Sequence, residues 1–220
     1  MNNLEIEDLN DNSQDIGKEA RERLDQSTKS GKESEKRSSV KEILSWILYF
    51  VAAILAALFI KNCLIINMHV PTGSMENTIM PGDRLIGNRL AYIKDGPERG
   101  DVVVFKYPDD EKETYVKRVI GLPGETVEIR DAKIYINGSE EPLEEDYLKE
   151  DWIVATGPYT FEVPEGHYLV MGDNRNDSWD ARYWTNTYVA GDKILGKAVF
   201  TYWPIRDFGK LKDYSERQEG

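Results

Sequence analysis

Ile43 to Ile60 is a run of 18 residues without a charge, and no other stretch limits the architecture of this chain so tightly. A helix rises ~1.5 Å per residue and the hydrocarbon core of a bilayer is ~30 Å thick, so the run spans once if its ends help. Leu64-Ile65-Ile66 carries the apolar character past Lys61 and Asn62. A helix buried in a globular core would show a polar stripe. Here only Ser45 interrupts the run, while Trp46 and Tyr49 lie near one end, where amphipathic rings favour a membrane interface. Residues 41–66 are therefore expected to form a single transmembrane helix.

Flanking charge orients that helix. Lys29, Lys32, Lys36, Arg37 and Lys41 precede it and only Lys61 closely follows. The positive-inside rule then puts the N-terminus in the cytoplasm and the rest of the chain outside it. A cleavable signal peptide competes with this reading, but the run starts late, is long, and is followed by no clear small-residue cleavage site. An uncleaved signal anchor is expected. Residues 1–40 hold 10 acidic and 7 basic residues with no aromatic side chain, too little apolar surface to offset ordering entropy. They read as a disordered cytoplasmic tail.

The chain has a net charge of −12, and Asn67 to Gly220 alone holds 29 acidic against 19 basic residues. That balance excludes nucleic acid as a partner, since phosphates reward clustered Lys and Arg. The one cysteine, Cys63, allows neither an intramolecular disulfide nor a thiolate metal cage. His69 and His167 stand too far apart to mark a metal site, and each reads as a surface or core histidine.

After the apolar run the pattern is β-rich. Residues 84–90, 101–107, 114–122, 126–136 (two short strands turning near Asp131-Ala132), 168–171 and 194–202 are dense in Val, Ile, Tyr and Phe. Pro81-Gly82, Pro123-Gly124 and Pro164-Glu165-Gly166 punctuate them. Asn137-Gly138-Ser139 fits a glycosylation acceptor and a tight turn, and the turn is preferred. The acidic run 140–151 reads as a solvated loop or a short exposed helix.

Three strings can carry chemistry: Thr72-Gly73-Ser74-Met75 in a Pro/Gly-bent loop, Tyr115-Val116-Lys117-Arg118 on a strand, and Gly172 to Arg182. Ser74 is a candidate nucleophile, which needs a base to take its proton. Lys117 serves as that base only if desolvation or nearby positive charge strips its own proton at neutral pH. Taken singly, a turn serine and an exposed strand lysine are the ordinary readings. Asp173, Asp177 and Asp180 do not make an EF-hand loop, which would need Gly at Ser178 and Glu at Trp184. His167 in a Ser/His pair has nothing local to orient it.

Together, in this order and behind this apolar run, the three strings resemble bacterial type I signal peptidase, a membrane-anchored Ser/Lys endopeptidase. The resemblance runs from Ile43 to Trp203. It implies Ser74 as nucleophile and Lys117 as general base. It also implies an oxyanion hole from Thr72 and the Ser74 N–H, Ser178 bonded to the lysine, an Asp180–Arg182 ion pair beneath the site, and Asp173 holding the loop. Gly100 to Phe105 matches a further box, implying that this strand lines the substrate groove. The family usually has proline at Asn77 and serine at Ala181. The first departure bears on loop stiffness; the second neighbours the site without forming it.

The expected fold is mainly β: a single N-terminal transmembrane helix, then an antiparallel β-sheet catalytic domain over 67–220 with a small insertion at about 125–165. The expected activity is removal of signal peptides after a small-x-small motif, without metal or organic cofactor. Expected partners are signal peptides of preproteins, the lipid bilayer of the plasma membrane and, as a further candidate, the protein export channel. A Ser/Lys self-cleaving repressor would need a DNA-binding helix-turn-helix in place of the anchor. A membrane-anchored binding protein or inactive relative is the alternative from another class, in which Ser74 and Lys117 are ordinary loop and strand residues.

Overall fold

The structure is a computed structural model that describes residue 21, residues 41–212 and residue 214. The expected disordered tail lies outside the described residues, Arg21 and nothing else of it being covered. Lys41–Leu64 is helical, 24 residues that are long and apolar enough to cross a membrane, and its last turn, Ile60–Leu64, is π-helical. The apolar extension Ile65-Ile66 is not helix. It opens a strand, β1 (Ile65–His69), and Ile66 is buried in a core cluster. An apolar run alone cannot mark that change, because strand and helix cores use the same residues.

Ten further strands follow: β2 (Arg84–Asn88), β3 (Val102–Tyr107), β4 (Asp110–Gly121), β5 (Thr126–Arg130), β6 (Lys133–Ile136), β7 (Tyr159–Glu162), β8 (His167–Met171), β9 (Val189–Ala190), β10 (Ile194–Trp203) and β11 (Gly209–Lys210). The larger sheet runs β1-β2-β10-β3-β4-β8-β9, with β11 on β10, and every pairing is antiparallel. The smaller sheet, β6-β5-β7, lies in sequence between β4 and β8. The protein is thus a mainly β, antiparallel fold with one apolar N-terminal helix. The strands β1, β7, β9 and β11 are additions to the sequence reading; the last two are only two residues long.

Strand alternation explains why β3 reads as an unbroken Val-Val-Val-Phe run. Val102 and Val104 belong to one buried cluster, with Ile66, Met75, Ile79 and Leu85; Val103 and Phe105 belong to another, with Val119, Leu169 and Val170. Both faces of this strand are therefore covered. The β5–β6 hairpin turns at Asp131-Ala132, both at positive φ, the backbone that matches strand twist. Asn137 and Gly138 also take positive φ, and the Ser139 N–H bonds Ile136 O, so this string is a turn.

The acidic run is not merely a solvated loop. Tyr147 is fully buried beside Arg118, and the Glu145 carboxylate is buried against Arg175. Nor does β3 line the groove: β10 takes one of its edges and β4 the other, leaving no main-chain groups for an added peptide. The free edge belongs to β4 instead. Its pairing with β8 begins at Arg118, so residues 114–117 have no partner strand on that side among the described residues.

Candidate active site

Ser74 sits in a tight loop after β1, and Lys117 sits on β4 one residue before the β8 pairing starts. The two meet across 43 positions of sequence: Lys117 Nζ lies 2.5 Å from Ser74 Oγ. Both are buried, Lys117 to 4% exposure, and the Lys117 amine makes no salt bridge among the described residues. Burial pulls the Lys117 pKa down from 10.5 to about 8; Asp180 and Asp173 push the other way and Arg182 helps lower it. An amine that loses its proton near pH 8 is a base within reach of neutral pH.

The loop is held from three directions. Within it, Glu76 N–H bonds Gly73 O, and Ile79 N–H bonds Met75 O at 2.8 Å, while Met75 and Ile79 anchor in the core. From the signature, Asn174 donates its N–H to Ser74 O at 3.1 Å and its side-chain amide to Gly73 O at 3.0 Å. From β4, Arg118 grips Asp173 through two bonds of 2.8 and 2.6 Å, and Asp173 accepts the Thr78 hydroxyl at 2.5 Å. The sequence reading gave Asp173 the loop-holding role without a partner and missed Asn174, whose type carries no signal in so polar a string.

Asn77 takes φ 85°, a left-handed conformation closed to proline. Its amide bonds the carbonyls of Tyr147 and Leu148, tying the Ser74 loop to the acidic run. The feared loss of stiffness is thus met by side-chain bonds.

Beneath the pair, Arg182 and Asp180 form a buried ion pair at 2.8 Å, and Asp180 also accepts the Gly172 N–H at 3.0 Å. Burial pushes the Asp180 carboxyl up, but the Arg182 bonds and charge and the Gly172 N–H outweigh it and hold the group below its ordinary value. With Asp173 and Asp180 spent on Arg118 and Arg182, neither carboxylate is left to ligate calcium. Gly172 is required where it stands. A Cβ there would collide with the Ser74 carbonyl oxygen and the Ser178 hydroxyl, so only glycine lets β8 end against the Ser74 backbone.

Ser178 lies in that contact, buried, and its hydroxyl faces the Asp180 carboxylate, helping to hold that group's pKa down; among the described residues it makes no bond to Lys117. The bond implied by resemblance is absent from this geometry. Thr72 is exposed on the loop and lines the cleft; neither its hydroxyl nor the Ser74 N–H is engaged among the described residues. Ala181 is buried in the core cluster, away from the pair's contacts. His69 is exposed at the end of β1, and His167 bonds Glu165 O at the start of β8; neither lines the cleft.

The pair opens into a cleft of about 560 Å³ bounded by Met68, Val70, Thr72, Tyr115, Val116 and Trp179. Apolar walls beside an unpaired strand edge suit an extended peptide, which adds by main-chain bonds and is selected by side-chain pockets. Chemically this is the equipment of a hydrolase working by acyl transfer.

Residues 43–203 match the family described as signal peptidase, peptidase S26. "Probable signal peptidase I-2" of Synechocystis sp. is 38% identical over 173 residues, 76% of this chain and 77% of that protein. "Signal peptidase I" of Leptolyngbya laminosa is 38% identical over 166 residues, 72% and 79% of the two chains. "Signal peptidase IB" of Staphylococcus aureus is 37% identical over 183 residues, 76% and 93%. A crystal structure of a signal peptidase I from Enterococcus faecalis shares 38% identity, covering 46% of this chain and 95% of that one, with a TM-score of 0.40. The chain belongs to the signal peptidase family, peptidase S26, and is a serine peptidase of that family.

Proposed function

We propose that this protein cuts signal peptides from exported preproteins after a small-x-small motif, with Ser74 as nucleophile and Lys117 as general base. The observation that carries the reading is the 2.5 Å approach of Lys117 Nζ to Ser74 Oγ at the floor of a peptide-sized cleft. Burial supplies the activation: with a pKa of about 8, about a tenth of the lysines are neutral at pH 7. The neutral amine takes the Ser74 proton as Oγ attacks the scissile carbonyl. The oxyanion that forms is stabilised by the Ser74 N–H and the Thr72 hydroxyl, both free of other partners. As the tetrahedral species collapses, the Lys117 ammonium returns the proton to the leaving amine. A water, deprotonated by Lys117, then attacks the acyl-Ser74 ester; Lys117 returns that proton to Ser74 Oγ as the ester bond breaks, and the signal peptide leaves with a new carboxylate.

Asp180, Arg182 and Asp173 act by position in this scheme, and Ser178, beside Asp180, supports the lysine from below the pair. Small residues at the cut are favoured where Val70 and Val116 crowd the cleft. The helix at Lys41–Leu64 anchors the protein in the plasma membrane, with the N-terminus cytoplasmic and residues 67–220 as the outer, catalytic domain. The only cysteine, Cys63, is exposed near the end of that helix, so a membrane-impermeant maleimide should label it in intact cells if this orientation holds.

The deciding experiment is cleavage of a purified preprotein ending its signal in Ala-x-Ala by the detergent-solubilised chain, beside folded Ser74→Ala and Lys117→Ala variants. Cleavage by the parent alone is expected. Equal cleavage by either variant removes that residue from the mechanism, and no cleavage by any of them favours the inactive-relative reading.

A further inference from the structure

We infer that Trp179, with Glu113 and Asp177, forms a subsite for a basic side chain, lysine or arginine, of the preprotein substrate beside the cut. The inference deepens the peptidase reading and rests on it. Trp179 is 58% exposed in the cleft wall, one residue beyond Ser178. A lone exposed indole is unremarkable, but this one is fixed. It stacks on Tyr183 with ring centres 5.5 Å apart, and its N–H donates to Tyr107 Oη at 3.3 Å. Tyr107 in turn stacks on Tyr115 at 4.5 Å and meets the buried Trp184 edge-on at 5.2 Å. The rings form a continuous support from the core to the cleft, so Trp179 is oriented before any ligand arrives and binding costs little side-chain entropy.

Charge decides which side chain suits this platform. Glu113 and Asp177 line the same cleft, and alternation along β4 puts Glu113 on one face with Tyr115 and Lys117. The only basic residue in the lining is Lys117, buried at the floor and pulled toward neutrality. Lys149, a cation that feels Asp177, is bonded to Glu76 at 2.6 Å. Burial first, then the charges of Glu113 and Asp110, hold the Tyr115 phenol above its ordinary pKa. An indole and two carboxylates lining one cleft favour an ammonium or guanidinium by cation–π attraction and charge, and disfavour a carboxylate by repulsion.

The test uses the full chain in detergent and a preprotein with neutral residues around its Ala-x-Ala cut. Lys, Ala or Glu is placed singly at each position from five before the cut to three after it, and kcat/KM is measured at low salt. At one position at least, the Lys substrate should be cut about tenfold more efficiently than the Glu substrate. Because the readout is a ratio within one enzyme preparation, partial misfolding of a variant cancels. The ratio should fall below about twofold in Trp179→Ala and in the Glu113→Gln/Asp177→Asn double variant, and survive in Trp179→Phe. A flat ratio at every position in a parent that cuts the neutral preprotein overturns the subsite alone. A preference that persists in both variants does the same. A parent that cannot cut the neutral preprotein sinks the peptidase reading, and the subsite falls with it.

Discussion

The two faces of β4 carry buried cations one residue apart, and the fold treats them in opposite ways. Arg118 is fully buried and fully compensated: Asp173 grips it twice, Gly100 O takes another N–H at 2.6 Å, and the rings of Tyr147 and Tyr214 cover it. Its pKa is raised; burial alone would lower it, and the Asp173 charge and bonds more than reverse that. Lys117 is almost as buried, yet receives a serine hydroxyl in place of a carboxylate, and its pKa falls to about 8. The paired cation fixes architecture; in the proposed mechanism the other is kept ready to release a proton. Charge burial by itself does not mark a catalytic residue, whereas charge burial without an anion does.

The contrast is broken most severely on the cleft face. Ser74→Ala or Lys117→Ala should reduce kcat/KM by roughly a thousandfold or more while the far-ultraviolet circular dichroism stays unchanged, because nucleophile and base act as a unit. On the opposite face the loss is in stability. Arg118→Ala strands Asp173 in the core, so about 3–5 kcal/mol should be lost, seen as a clear drop in Tm. Arg118→Met, which fills more of the space, should still be destabilised while Asp173 remains.

Removing the lysine charge should do the reverse. An unfolded Lys117 has its ordinary pKa of 10.5 and the folded one about 8, so between those values the unfolded chain binds the extra proton and stability rises with pH. Below about pH 8 the folded protein carries the whole penalty, about 3 kcal/mol. Lys117→Met should therefore be inactive yet more stable than the parent at pH 7 by up to about that amount, with the gain vanishing above about pH 10.5. Chemical denaturation across this range checks both sign and window. The smallest effect lies at Asn77. Asn77→Ala should cost about 1 kcal/mol through its two lost bonds to Tyr147 and Leu148. Asn77→Pro, despite matching the family pattern, should cost about 3 kcal/mol or more, since proline cannot take φ 85°.

How much of this was readable in the chain depends on how far each residue's meaning travels along it. Ser74 and Lys117 stand in strings whose order and surroundings are distinctive, and strands such as β3 and β5 announce themselves by Val and Ile with turn residues at their ends. The start of β1 was hidden because Ile65-Ile66 continues an apolar run that is helical up to Leu64. The compensation of Arg118 was illegible because its partner lies 55 residues away, and the Arg175–Glu145 pair lies 30 away, inside an acidic run that reads as solvated. Resemblance also misdirected the placing of one strand, besides implying a Ser178–Lys117 bond that the geometry lacks. The Asp101–Phe105 strand does not face the groove, because both its edges are occupied, a fact of topology that no local pattern expresses.

The central claim is that Lys117 works as a base because burial leaves it unpaired, and the pH dependence of kcat/KM tests it most directly. With an Ala-x-Ala preprotein and the full chain in detergent, the acid limb should rise with unit slope and reach half its plateau near pH 8, the pKa that burial gives Lys117. A midpoint above about pH 10, where an ordinary lysine titrates, or a rate flat from about pH 6 to 10, would contradict it.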